Sequence, residues 1–308
     1  MRYFDLHCDT ITECWQKECH LTENSLQVDW SRIQGWEAYA QCYAVWLPDS
    51  LHGEEAFNRF CAVADRFSQE MERNSGKFSP NGTYSAPKEA ANRWYGLLTV
   101  ENAAALGGKV ENVLEFAARG VKLCTLTWNG ENELGRGVRA PGSGGLTDFG
   151  RLAVRAMEEN GIYIDLSHAS PELFWDAVRL AEKPVFATHS NARALCAHPR
   201  NLTGDQFNAI RDSGGLVGLN LYTAFLHDDP AKASVEDLLR HADYFLNHGG
   251  ENTLAFGADW DGARPEDFPV PGLEGLPELR QRFVREFGEE ITEKIFYQNA
   301  ANFFQDLL

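Results

Sequence analysis

Eight short apolar runs alternate with longer helical patterns along the whole chain, and this rhythm constrains the fold more than any other feature. The runs that read as strands are Tyr3–Asp9, Tyr39–Leu47, Gly96–Glu101, Val121–Thr127, Ile162–Ser167, Val185–His189, Leu216–Leu221 and Leu254–Asp259. The segments between them carry helix punctuation. Thr147 caps a helix expected to run to Asn160, with Gly161 as its stop. Ser170-Pro171-Glu172 is an N-cap, a proline at the first helical position and an acid in the first turn. Thr203 with Gln206 makes a capping box, and that helix should stop near Gly214. From Leu276 onward the tail is helical and amphipathic. In 308 residues, with 44% hydrophobic content, eight strands separated by helices predict an α/β protein, a (β/α)8 TIM-type barrel forming one domain over 1–308. A doubly wound open sheet is the alternative.

The polar residues that close these runs carry the chemistry. His7 and Asp9 end the first run; on a pleated strand they share a face, while Cys8 points the other way and reads as core. Glu101 ends the third run, His168 follows the fifth, His189 closes the sixth, and Asp259 and Asp261 follow the eighth. In a barrel the carboxyl ends of the strands meet at one face, so these remote residues converge. Carboxylates and histidines gathered there are costly unless paired or bound to metal. His7, Asp9, Glu101, His168 and His189 exceed what one tetrahedral catalytic zinc needs, and two metals sharing a bridging carboxylate would use all five. Asp259 is then left to accept a proton from a nucleophilic water and pass it to a leaving group. Asp261 shares its alternation or caps the turn before Gly262. The other six histidines (20, 52, 198, 227, 241 and 248) read as surface residues.

Several functions are excluded or disfavoured. A net charge of −17 without Lys/Arg clusters argues against nucleic-acid binding. Residues 1–10 hold Arg2, Asp5, His7 and Asp9, which interrupts any secretory leader, and no apolar stretch approaches membrane-spanning length. Seven cysteines without a Cys-x-x-Cys spacing fit a reducing cytoplasm. The Gly-rich stretch Gly135–Gly145 lacks a phosphate-loop ending and is either an active-site lid or a surface excursion. No Gly-x-Ser-x-Gly elbow exists.

In this order and spacing the motifs resemble those of the membrane (renal) dipeptidase family of zinc metallopeptidases. The resemblance runs from Asp5-Leu6-His7-Cys8-Asp9-Thr10, through Gly145-Leu146-Thr147-Asp148-Phe149-Gly150, Ile164-Asp165-Leu166-Ser167-His168 and Thr188-His189-Ser190-Asn191-Ala192, to Gly257-Ala258-Asp259-Trp260-Asp261-Gly262. It implies a (β/α)8 barrel with two Zn2+ per chain, one on His7 and Asp9, the other on His168 and His189, bridged by Glu101. It further implies proton transfer by Asp259, binding of the substrate's terminal carboxylate by Arg200, and a homodimer acting on small dipeptides, L,L and L,D. One departure stands out. Where the family carries a Thr-His pair after the fourth strand, this chain reads Thr127-Trp128-Asn129. Trp128 and Asn129 are therefore the substrate-binding candidates there, and an indole offers one N–H and no positive charge. Losing one donor to a developing oxyanion costs ~10²–10³ in rate. The change keeps two alternatives open: a metal-dependent hydrolase of another amide, lactam or ester, and a non-catalytic metal- or small-molecule-binding barrel. A smaller departure, Asn302 in place of an arginine, concerns packing.

Overall fold

The computed structural model of the protein describes residues 1–75, 78–79 and 93–305. Eight parallel strands form the predicted barrel: β1 (Arg2–Cys8), β2 (Ala38–Trp46), β3 (Arg93–Glu101), β4 (Leu123–Thr125), β5 (Tyr163–Asp165), β6 (Val185–Phe186), β7 (Val217–Leu219) and β8 (Leu254–Phe256). Each pairs with the next from β1 to β6, and β7, β8 and β1 pair in turn. The gap between β6 and β7 is bridged at Ala187 and Val217. There Ala187 N–H donates to Leu216 O (3.1 Å) and Gly218 N–H to Ala187 O (2.9 Å). This ring replaces the open doubly wound sheet as the reading of the strand rhythm. All eight predicted runs hold strands, mostly shorter than the apolar runs because their last residues leave the ladder to form the site.

Helices cover the barrel as punctuated. Thr147 Oγ accepts from Gly150 N–H at the start of α1 (Asp148–Glu159), and Ser170 Oγ from Leu173 N–H at the start of α2 (Pro171–Leu180). The Thr203–Gln206 capping box opens α3 (Gly204–Ser213), which Gly214 ends at φ 83°. Such caps satisfy the orphan amides of the first turn. Among the described residues no helix is long and apolar enough to cross a membrane.

Side-chain alternation divides the core in two. Phe4, Leu6, Ala40, Cys42, Leu97 and Phe186 fill the barrel interior, whereas Tyr3, Tyr39, Tyr43 and Val100 face the helices. The interior is sealed at the amino ends of the strands by α4 (Asn299–Gln305): Phe304 stacks on Phe4 at 5.3 Å, and Phe303 meets Phe186 edge-on at 4.8 Å. Asn302 on this helix is exposed. With the amino end closed by apolar packing, the polar carboxyl ends are left as the open face, as expected of this architecture.

Candidate metal centre

The first ligand pair depends on an irregularity in β1. Between Asp5 and Cys8 this strand advances three residues while β2 advances two, from Gln41 to Tyr43. The extra residue is a bulge, which re-aims side chains at a strand end. Phe4 and Leu6 face the interior and Cys8 the outer core, yet His7 also turns inward, its ring 3.9 Å from that of His189. Strict alternation from Leu6 would have pointed it away. Cys8 is buried, as the sequence indicated.

Glu101, at the end of β3, lies between two groups of donors. Its Oε2 is 3.5 Å from His7 Nε2, and its Oε1 is 2.8 Å from His168 Nε2 and 3.6 Å from His189 Nε2. The two latter nitrogens are 3.0 Å apart. His7 Nε2 is also 3.8 Å from Asp9 Oδ2 and 3.7 Å from Asp259 Oδ1. The ligand atoms of His7, Glu101 and His189 lie within 4.8 Å of one another, as do those of His7, Asp9 and Asp259. All five predicted ligands and Asp259 therefore converge, although they are spread over most of the chain.

These residues fit a divalent metal by their own unmet needs. His7 Nε2 and Asp9 Oδ1 are buried without a hydrogen-bond partner among the described residues, a costly state unless a cation takes them up. The two remaining histidines have fixed tautomers. His168 Nδ1–H donates to Asn129 Oδ1 at 3.3 Å, and His189 Nδ1–H donates to Thr188 Oγ at 2.8 Å. Both Nε2 atoms are thereby left unprotonated and aimed at Glu101, the arrangement metal-binding histidines need.

Two buried carboxylates beneath the ligands, which the sequence reading passed over, hold this geometry. Asp165, at the end of β5, accepts from Ser167 N–H (3.1 Å), Ser167 Oγ (2.6 Å) and Thr188 N–H (2.9 Å) on Oδ1. On Oδ2 it accepts from Thr125 Oγ (2.5 Å) and Thr188 Oγ (2.7 Å). Asp5 accepts from Tyr3 Oη (2.5 Å), His7 N–H (2.9 Å), Gln41 Nε2 (3.3 Å) and Ala258 N–H (3.2 Å to either oxygen). Their only sequence signal is an aspartate two or three residues before a strand-end histidine.

Charge is distributed unevenly across the centre. Burial disfavours protonated His7, but Glu101 and Asp9 outweigh it and hold its pKa well above the usual value. Burial together with Glu101 pushes Asp9 up to about 8. His168 is pushed down to about 4 by burial and Arg200, and His189 well down by burial and His7. Burial would raise Glu101, yet His7 and His168 hold it well below the carboxylate range. Asp259 is lifted to about 6, chiefly by burial.

Asp259 and Asp261 both adopt left-handed backbone, φ 67° and 66°, a conformation that non-glycine residues hold only when their surroundings impose it. Here they do. Asp259 N–H donates to His7 O (3.2 Å), and Asp9 N–H to Trp260 O (2.9 Å). Asp261 accepts from Thr10 Oγ (2.5 Å) and Gln27 N–H (2.8 Å), while its own N–H donates to Gln27 Oε1 (2.7 Å). Asp261 is thus a clamp between remote segments rather than a local cap. A Cβ on Gly262 would come within 2.6 Å of Asp9 Oδ2 and 2.8 Å of Asp259 Oδ1, so glycine there lets the chain pass the two carboxylates. Asn220 Nδ2 donates to Asp259 Oδ2 at 2.9 Å.

Above these groups opens a cavity of about 370 Å3, lined by Asp9, Glu101, His168 and Asp259 and also by Arg200, Trp128, Asn129, Arg139, Trp46 and Tyr222. Arg200, featureless as a sequence position, is 3% exposed; its Nε and Nη1 have no hydrogen-bond partner among the described residues, and its guanidinium lies 5.3 Å from the Phe225 ring. Burial lowers its pKa to about 10, so it remains a cation. Trp128 packs edge-on against Trp46 at 5.2 Å and lies 6.3 Å from the His168 ring. One histidine expected at the surface is not there. His241 is fully buried, with Nδ1 accepting from Ala192 N–H and Nε2–H donating to Leu226 O.

Comparison with known proteins agrees with this geometry. The chain matches the membrane dipeptidase family (peptidase family M19) over residues 1–306. A metallopeptidase from Rhodobacter sphaeroides, solved with a phosphinate mimic of the dipeptide L-Ala-D-Ala, superposes with a TM-score of 0.90 at 26% identity, covering 100% of this chain and 99% of that one. A second M19 metallopeptidase structure, a dipeptidase, gives 0.89 at 27% identity over 99% and 98%. An uncharacterised Klebsiella pneumoniae protein is 37% identical over 210 residues, 65% of this chain and 77% of its own length. The matches to curated relatives from Acinetobacter calcoaceticus and Schizosaccharomyces pombe span about half of those proteins, 51% and 49%.

Proposed function

The chain belongs to the membrane dipeptidase family of metallopeptidases, and on that premise we propose that it hydrolyses small dipeptides at a centre of two zinc ions sharing Glu101. The observation that carries this reading is the placement of Glu101, with one oxygen toward His7 and the other toward His168 and His189. His7 and Asp9 would hold one ion, and His168 and His189 the other. The chemistry such a pair supplies is Lewis acidity, which makes a water nucleophilic at neutral pH and polarises a carbonyl.

The remaining work falls to the chain's own groups. Arg200 lines the cavity with Nε and Nη1 unpartnered among the described residues, and its guanidinium is suited to forked recognition of the substrate's terminal carboxylate. Asp259, steadied by Asn220, takes a proton from the attacking water. As the C–N bond breaks, it returns that proton to the leaving amine. Asn129 orients His168 through Nδ1, a more definite task than the substrate contact expected from sequence. Seven free thiols support a reducing compartment such as the cytoplasm.

The test is metal content measured together with a panel of L,L and L,D dipeptides. Two equivalents of zinc and turnover of at least one configuration are expected. A fully loaded protein that cleaves none of them would sink the dipeptidase reading. Trp128, lining the cavity where the resemblance places a histidine, favours one second reading, hydrolysis of another amide, lactam or ester. Metal-dependent turnover of such a compound by a dipeptide-inert protein would establish it.

A further inference from the structure

The cavity is bipolar. Asp9, Glu13, Glu101, Asp259 and Asp261 contribute carboxylates to its lining, and Arg139 and Arg200 contribute two guanidiniums. A simple dipeptide has one carboxylate for two cations. Arg200 is buried and accounts for the terminal carboxylate. Arg139 is exposed, and no hydrogen bond or ion pair engages its side chain among the described residues.

Its position is nonetheless fixed. The segment leading to it is pinned to the centre by three backbone bonds: Gly137 N–H to Gly130 O (2.6 Å), Val138 N–H to His168 O (2.8 Å) and Arg139 N–H to Asn129 O (3.0 Å). The packing is close enough that a Cβ on Gly137 would lie 2.1 Å from Trp128 O. Arg139 is thus carried over the cavity by backbone tied to a metal-ligand residue and its Asn129 partner, so the Gly-rich stretch is neither a loose lid nor an idle excursion. Its charge also reaches Arg200 and His198, where, after burial, it adds to the downward pull on both.

We propose that Arg139 is a specificity-determining residue that reads a second carboxylate, so that the preferred substrates are dipeptides with an acidic C-terminal residue. The inference rests on the dipeptidase reading. With Arg200 holding the α-carboxylate, Arg139 is the second cation lining the same cavity and is left to meet the side chain of that residue. A partly exposed charge-assisted contact contributes about tenfold in kcat/KM.

The experiment compares Ala-Asp with its neutral isostere Ala-Asn, with the second residue in both L and D form, on zinc-loaded wild type, Arg139→Gln and Arg139→Lys. We expect wild type to prefer Ala-Asp by about tenfold in kcat/KM, mostly through KM. Arg139→Gln should bring the ratio close to one, Arg139→Lys should retain part of it, and added salt should shrink it in the wild type. A wild-type ratio at or below one would overturn the proposal while leaving the dipeptidase reading intact. So would a ratio that survives in Arg139→Gln, or an equal fall on both substrates, which would assign Arg139 to the α-carboxylate. Failure to cleave any dipeptide would overturn both readings together.

Discussion

The two halves of the ligand set are built alike and behave differently. Each hangs a histidine from a strand end above a buried aspartate that collects backbone and side-chain donors. The Asp5 half holds protons: His7 and Asp9 are both raised, Asp9 to about 8. The Asp165 half sheds them: His168 is lowered to about 4, and His189 falls well below its usual value. The wiring differs too. Asp165 serves the residues that place His168 and His189 and, through Thr188, the His189 tautomer. Asp5 binds the amides of His7 and Ala258, and Asp259 N–H bonds to His7 O. On the proposed reading, one half would be set to receive a metal, and the other would couple a metal ligand, His7, to Asp259, the residue proposed to move the proton. Metal loading should therefore begin at His168 and His189, which already offer neutral Nε2 atoms, whereas His7 and Asp9 must first release protons.

Glu101 belongs to both halves, so its removal should have the largest effect. Glu101→Ala should lower zinc to at most one equivalent per chain and cut kcat/KM by about 10³-fold or more. Metal analysis and dipeptide turnover on the same preparation check this. If two equivalents remain, Glu101 does not join the halves.

The next effect separates them. Thr188 Oγ accepts the His189 Nδ1 proton and donates to Asp165. Thr188→Val removes that acceptor, which strands the N–H or shifts the proton to Nε2, where it blocks a ligand. Zinc affinity in this half should fall by about 10–100-fold, read by chelator competition as the loss of the tighter of two equivalents. Thr188→Ser should restore it. Loss of both equivalents alike would mean that the halves are not independent.

The convergence of the five candidate ligands was legible in sequence because a polar residue closing an apolar run is conspicuous, and the barrel was legible because strand and helix patterns alternate with sound caps. The supports were not. Asp5 meets Ala258, and Thr10 meets Asp261, across about the whole chain, and no local pattern encodes such pairs. The β1 bulge was hidden as well. Sequence alternation put His7 and Asp9 on one face, but the face itself is set by an extra residue relative to β2. Arg200 looked ordinary because its burial comes from the fold around it, and His241 looked exposed because its partners, Ala192 and Leu226, are remote.

Asp5→Asn should act on the rate while sparing the metal. The amide keeps one oxygen for His7 N–H and can turn its NH2 toward the Tyr3 hydroxyl, which can reverse to accept it. The weakened contact is that of Ala258 N–H, now 3.2 Å from either carboxylate oxygen, and Ala258 precedes Asp259. We expect kcat to fall about tenfold with zinc affinity within a factor of two. A fall in zinc affinity as large as that of Thr188→Val would erase the distinction between the halves.

The smallest effect is the pH response of the metal-stripped protein. Asp9 at about 8 in the fold, against about 3.9 unfolded, binds more protons folded than unfolded, so its contribution to stability drains away as pH rises toward 8. His7, also raised, acts in the same direction from its unfolded value upward. Asp259, raised to about 6, has finished by then. The lowered histidines, His168, His189, His198 and His241, oppose these groups, gaining stability as pH rises up to and through about 6.5 and fading about one unit above it. Between about pH 7.5 and 8.5 Asp9 and His7 therefore outweigh the histidines, and the Tm of the stripped protein should decline by a few degrees. Zinc should flatten or reverse this slope, because binding displaces the same protons. A stripped protein whose Tm rises across this window would show that the first half does not hold the protons its burial and neighbours imply.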